Sequence, residues 1–337
     1  MRKPQKRGDV RQTKAKAHRL FERQRALRFS PIFQRLEDRP LLSTISWNTM
    51  VSPNGGSWDV GSNWVGGVVP GSSNDVVIDL TGTGTVTLNG SATDSVNSLM
   101  TNATTSISIG GDSLSLATAS TIGSNFSLTS GSLTGAGTLT VMGTTTWSGG
   151  TMSGSGTTVA SGGLTLGGSG NQNYNESLTV RTLDNAGIAT LTDNPSFTGG
   201  VNFSNGATFN NESTGSFAFD ADLSITASNG GGTFSNAGTL SKSIGTGTST
   251  IGVTLNDTGA GTVQVNSGTI SLAGGNLAGT GPVSVASGAT LNFAGGTTSI
   301  ASTVTLSGAG NVSFASGTVT DAGPYDITGT TSVTGSS

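Results

Sequence analysis

After residue 75, short apolar pairs return at a nearly constant interval, and that interval limits the possible folds more than any other feature. In the C-terminal third, Val263/Val265, Val283/Val285, Val304/Leu306 and Tyr325/Ile327 step by 20, 21 and 21 residues. A second series, Ile270/Leu272, Leu291/Phe293, Val312/Phe314 and Val333, steps by 21. Leu277, Ile300 and Val319 form a looser third series. Residues two apart face one side of a strand. Three short strands per period of about 20 residues is the pattern of a β-solenoid, in which each coil buries its apolar face only by stacking on its neighbours.

The same alternation runs through Val76/Ile78/Leu80, Val86/Leu88, Ile107/Ile109, Leu114/Leu116 and Leu139/Val141. No window sustains a 3.6-residue apolar period, so helix is not expected after residue 45. Glycine is abundant, 54 of 337 residues, and bounds the runs where tight corners need positive φ. Charged residues are only 10% and cysteine is absent, so stacking and backbone hydrogen bonds must hold the fold. Residues 76–337 accommodate roughly 12 or 13 coils at about 4.8 Å each. The predicted class is therefore all-β, a right-handed parallel β-helix of about three short strands per ~21-residue coil. Phe197, Val201/Phe203, Phe209 and Phe217/Phe219 are expected as stacked core aromatics rather than a carbohydrate platform.

The first 40 residues are of another kind. They hold 13 of the 15 Lys and Arg and the single His, His18, giving a net charge near +9 against −12 for the rest. Residues 1–45 read as a basic leader, disordered or partly helical over 13–29. Residues 46–75, with Trp47, Trp58 and Trp64, read as an N-terminal cap that covers the open edge of the first coil. Residues 76–337 are the repeat array. The final coil lacks its third strand, so the array is expected to be a piece of a longer protein, prone to end-to-end self-association.

Two resemblances add to this. The segment from Trp47 through Gly55-Gly56-Ser57-Trp58, Asn63-Trp64-Val65-Gly66-Gly67, Pro70 and Asp75-Val76-Val77-Ile78 resembles the opening of autotransporter-type β-helical passenger regions. Leu36, Glu37, Arg39, Leu41, Leu42 and Ser43 resemble the LExRxLLS region that follows a basic stretch in large surface proteins of planctomycete-type bacteria. Asp38 stands where that family often has Pro. The resemblance implies a sorting signal and export to the envelope. The leader has no apolar core of an ordinary secretory signal, and no segment reaches the ~20 apolar residues of a membrane span.

Catalytic chemistry finds little support. His18 lies in the leader, so Ser/His/Asp and Cys/His mechanisms have no imidazole in the array. Asp220 and Asp222 are the candidates for Ca²⁺ or a working carboxylate pair, with solvated acids the plainer explanation. The Gly-Gly runs lack the strand–loop–helix setting of phosphate loops. The acidic array opposes nucleic-acid binding by the leader. The sequence thus points to a non-enzymatic, exported structural or adhesion-type repeat protein of the cell surface, without cofactor or catalytic residues. Its partners would be surface or matrix polysaccharide or other surface proteins. The alternatives are a carbohydrate-active β-helix enzyme (a polysaccharide lyase or hydrolase) and an ice-binding solenoid, the latter suggested by Thr85-Val86-Thr87.

Overall fold

The computed structural model describes residues 43–167, 176–192 and 200–335. They form a β-solenoid in which every ladder is parallel, built from strands of two to twelve residues. Among the described residues the one helical piece is a 3-10 turn, Gly61–Asn63. The chain winds through three faces. The first is a thirteen-stranded sheet that starts with Ser43–Ser46 and Asn74–Ile78 and ends with Thr318–Asp321. The second runs from Gly55–Ser57 and Gly84–Leu88 to Tyr325–Ile327. The third runs from Thr93–Val96 to Thr331–Val333. Two long strands, Thr105–Leu116 and Phe126–Thr134, bend around the corner between the second and third faces and make them continuous.

Alternation explains the burial. In Gly84–Leu88, Val86 and Leu88 point inward and Thr85 and Thr87 outward, and the ladder places Ile107 and Ile109 above Val86 and Leu88. Like therefore stacks on like, and one apolar core runs through the coils. Phe209 stacks on Phe234 at 4.9 Å, and both meet Phe217 edge-on. Phe293 stacks on Phe314 with rings 5° from parallel. Phe203, Phe209, Phe217 and Phe219 are all buried, as core aromatics should be; Phe197 lies outside the described residues.

The register differs from equal spacing in one place. Val283 pairs with Leu306, not Val304, and Leu306 pairs with Tyr325. Leu277 pairs with Ile300, but Ile300 pairs with Asp321 rather than Val319. The reason is corner length: the coil after Val283 is two residues longer and the next two shorter, so equal sequence intervals hide unequal coils. Val304 is still buried, in a turn closed by its N–H on the Ala301 carbonyl. The series Ile270, Leu291, Val312 does stack as the sequence predicts.

The segment expected as a cap also contributes strands. Ser43–Ser46 and Gly55–Ser57 join the first and second faces, so residues before 75 make a first coil as well as covering it. The positions of the basic leader before Ser43, including Leu36, Glu37, Arg39, Leu41 and Leu42, lie outside the described residues; Ser43 opens the first strand.

Candidate functional site

The N-terminal coil carries the densest polar–aromatic cluster. Trp47, Trp58 and Trp64 are buried and packed edge to face, with ring centroids 4.8 Å apart in both contacts. Trp47 Nε1 donates to the Ser52 carbonyl and Trp64 Nε1 to the Trp58 carbonyl, at 2.8 and 2.7 Å. Trp47 and Trp64 also share an antiparallel bridge. Asn63 locks the loop: it donates to the Ser57 carbonyl and accepts from the Ser52 hydroxyl. These rings face protein, so they offer no open surface for a sugar.

Beside Trp58 sit three carboxylates that no sequence motif marks. Asp59 follows the strand Gly55–Ser57, Asp94 lies in Thr93–Val96, and Asp112 lies at the bend of Thr105–Leu116. One oxygen from each falls within 4.8 Å of the others. Asp59 is exposed, whereas Asp94 and Asp112 are buried. Burial, then the charges of Asp59 and Asp112, push the Asp94 carboxyl up to about 6, while the Trp58 indole pulls the other way. Burial and Asp112 also raise Asp59.

Farther along, a second polar feature is internal. Asn185, Asn211, Asn236 and Asp257 occupy one inward position on successive strands of the first face. Each amide donates to the next rung, at 2.9, 2.8 and 2.7 Å. Each also donates to a carbonyl of the adjoining corner: Ser216, Thr239 and Thr262 respectively. The ladder therefore ties three corners as well as four strands. It ends on a carboxylate, and burial raises Asp257 to about 6 against the opposing bond from Asn236.

The two basic residues of the array are buried too. Arg181 has no acidic partner; its guanidinium donates to the Thr158 hydroxyl and to the carbonyls of Gly135, Gly137, Ser153 and Thr157. Desolvation lowers it to about 10. Lys242 donates to the Ala221 and Ile244 carbonyls and to Asp222 Oδ1 at 2.6 Å. Asp222 also accepts from the Gly247 N–H, and its pKa is lowered, chiefly by the Lys242 bond. Asp222 is thus engaged with a lysine. Asp220 sits just past the strand Ser216–Phe219, with its N–H on the Leu191 carbonyl. Glu176 is a further inward acid, raised by burial to about 7.

Outward positions form hydroxyl files. On the second face, Ser57, Thr87, Ser108, Ser127, Thr146, Thr165 and Thr190 stand in one unbroken register. All seven are half-exposed. The sequence predicts no such recurrence, because coil lengths vary and only the ladder brings these residues into line.

The residues missed in the sequence share one signal. Asp94 is two before Val96, Asp112 two before Leu114, Asn185 two after Leu183 and Lys242 two after Leu240. Each is a polar residue on the inward parity of its strand, where burial is dictated by its neighbours. The chain matches no protein-family model, and no curated protein or solved structure shows significant similarity to it.

Proposed function

We propose that this chain is the repeat region of a non-enzymatic, exported protein that works as a stiff scaffold or adhesive element at the cell surface. The in-register hydroxyl file on the second face is the observation that carries this reading. A regular row of small donors and acceptors about 4.8 Å apart suits many weak contacts to a repeating polymer such as a surface polysaccharide. Uncharged Ser and Thr lose little entropy when held on a sheet, so the face is ordered before any partner arrives. The basic leader with Leu36, Glu37, Arg39, Leu41, Leu42 and Ser43 supports delivery to the envelope.

Two experiments test this. Purified chain should sediment with insoluble polysaccharide without releasing new reducing ends or unsaturated products; release of either makes it a carbohydrate-active enzyme. In a bacterial host with the matching export route, the tagged chain should reach the envelope fraction, and the pair Leu41→Asp and Leu42→Asp should leave it in the cytosol. Equal envelope levels for both forms would refute the sorting role. The hydroxyl file also favours a second reading, binding to ice, because Thr85/Thr87 and Ser106/Ser108 are paired across adjacent strands. Thermal hysteresis in the purified chain would support that reading over the first.

A further inference from the structure

We propose that Asp59, Asp94 and Asp112 form a calcium site that ties the first three coils of the solenoid together. The inference goes beyond the scaffold reading and stands independently of it. The three carboxylates come from three successive coils, so one ion would bridge them across two ladders.

The geometry suits a single ion. Calcium binds oxygen at 2.3–2.6 Å, so two oxygens on one calcium are at most about 5 Å apart. The three carboxylate oxygens meet that limit, all lying within 4.8 Å of one another. Asp94 is 7% exposed and Asp112 0%. Ala92 N–H donates to Asp112 Oδ1 at 2.9 Å. The second oxygen of each, Asp94 Oδ2 and Asp112 Oδ2, is buried without a hydrogen-bond partner. A buried carboxylate oxygen left without a donor or counter-ion is strongly disfavoured, and two such oxygens within one cluster call for a cation between them.

The described residues supply none. Their basic side chains are Arg181 and Lys242 alone, and both are engaged elsewhere in the array. Gly90 borders the cluster; a Cβ there would come within 3.0 Å of Asp112 Oδ1 and 3.3 Å of Asp59 Oδ2. The missing side chain leaves that space open. Asp59, on the exposed side, provides the entry path and leaves room for water ligands. An all-carboxylate set on rigid strands with wide spacing matches calcium better than magnesium, which demands a tighter octahedron and keeps more of its waters.

The test uses the whole chain, stripped with EDTA and titrated with calcium chloride. Calorimetry should give about one calcium per chain, and tryptophan emission should change with the same saturation curve, since Trp58 adjoins the site. The melting temperature should rise in calcium and return in EDTA. Asp59→Asn changes only an exposed side chain; it should weaken affinity at least tenfold while its melting temperature in EDTA matches the parent. Asp94→Asn should lose binding to a similar degree. Magnesium chloride at equal concentration should bind more weakly. The proposal is overturned if millimolar calcium produces neither saturable heat nor a melting shift. It is equally overturned if Asp59→Asn and Asp94→Asn both bind with parental affinity, which would mean diffuse attraction to surface acids.

Discussion

Asp257 ends the internal amide ladder with a carboxylate where the three rungs before it carry an amide. Its Oδ1 accepts from Asn236, while Oδ2 is buried without a partner. Asp257→Asn keeps the acceptor and removes the buried charge. At pH 7.5 it should stabilise the chain by about 1–2 kcal/mol, read as a higher denaturation midpoint. A lower midpoint would mean that the charge has a partner. Arg181 presents the opposite case, a buried cation whose five bonds reach carbonyls and a hydroxyl in neighbouring coils. Arg181→Ala would leave those carbonyls unpaired and open a cavity. The expected cost is about 3 kcal/mol or more, measurable by thermal unfolding. A loss below about 0.5 kcal/mol would show that water replaces the guanidinium freely.

At the scale of the strand, register decides which apolar residue matters. Leu306 sits between Val283 and Tyr325 and is fully buried. Leu306→Asp should cost several kcal/mol by burying an unpaired charge. Tyr325, its partner on the next strand, is 41% exposed, so Tyr325→Asp should cost under about 1 kcal/mol. Comparable melting temperatures for the two variants would contradict the ladder. The strand beyond is held in place by Gly308, whose φ is +127°. A Cβ there would come within 2.1 Å of the Val285 carbonyl oxygen, so the close approach of these two strands at that corner needs glycine.

At the scale of the whole solenoid, each coil is stabilised by its neighbours, so buried titrating groups act on a shared cooperative unit. Asp257 and Glu176 have folded pKa values raised to about 6 and about 7, above their unfolded values of about 3.9 and 4.3. A raised acid contributes stability that is complete below its unfolded pKa and lost as pH rises through its folded pKa. The chain should therefore be more stable at pH 5 than at pH 8. Asp222, lowered by Lys242, acts in the opposite sense and loses its contribution only in acid near and below the ordinary carboxylate range. Guanidinium midpoints across pH 5–8 should fall with pH, and Asp257→Asn should flatten the slope. A rising midpoint would show that other groups dominate.

Local alternation determined the fold class. Pairs such as Val86/Leu88 and Ile270/Leu272 name their inward face by parity alone, and a repeat near 21 residues forces stacked coils because a single coil cannot bury its own apolar side. The burial of Phe203, Phe209, Phe217 and Phe219 was legible for the same reason. Register was not. Coil length changes at the corners by a few residues, and apolar spacing of 21 fits both Val304 and Leu306 as the partner of Val283; only the ladder chooses Leu306. The polar interior was also beyond the sequence. Asp59, Asp94 and Asp112 are separated by 35 and 18 residues, and nothing local tells that three coils bring them together. The hydroxyl file and the asparagine ladder arise in the same way, from contacts between residues one coil apart. Parity is encoded along a strand, but adjacency across strands is created only when the coils stack.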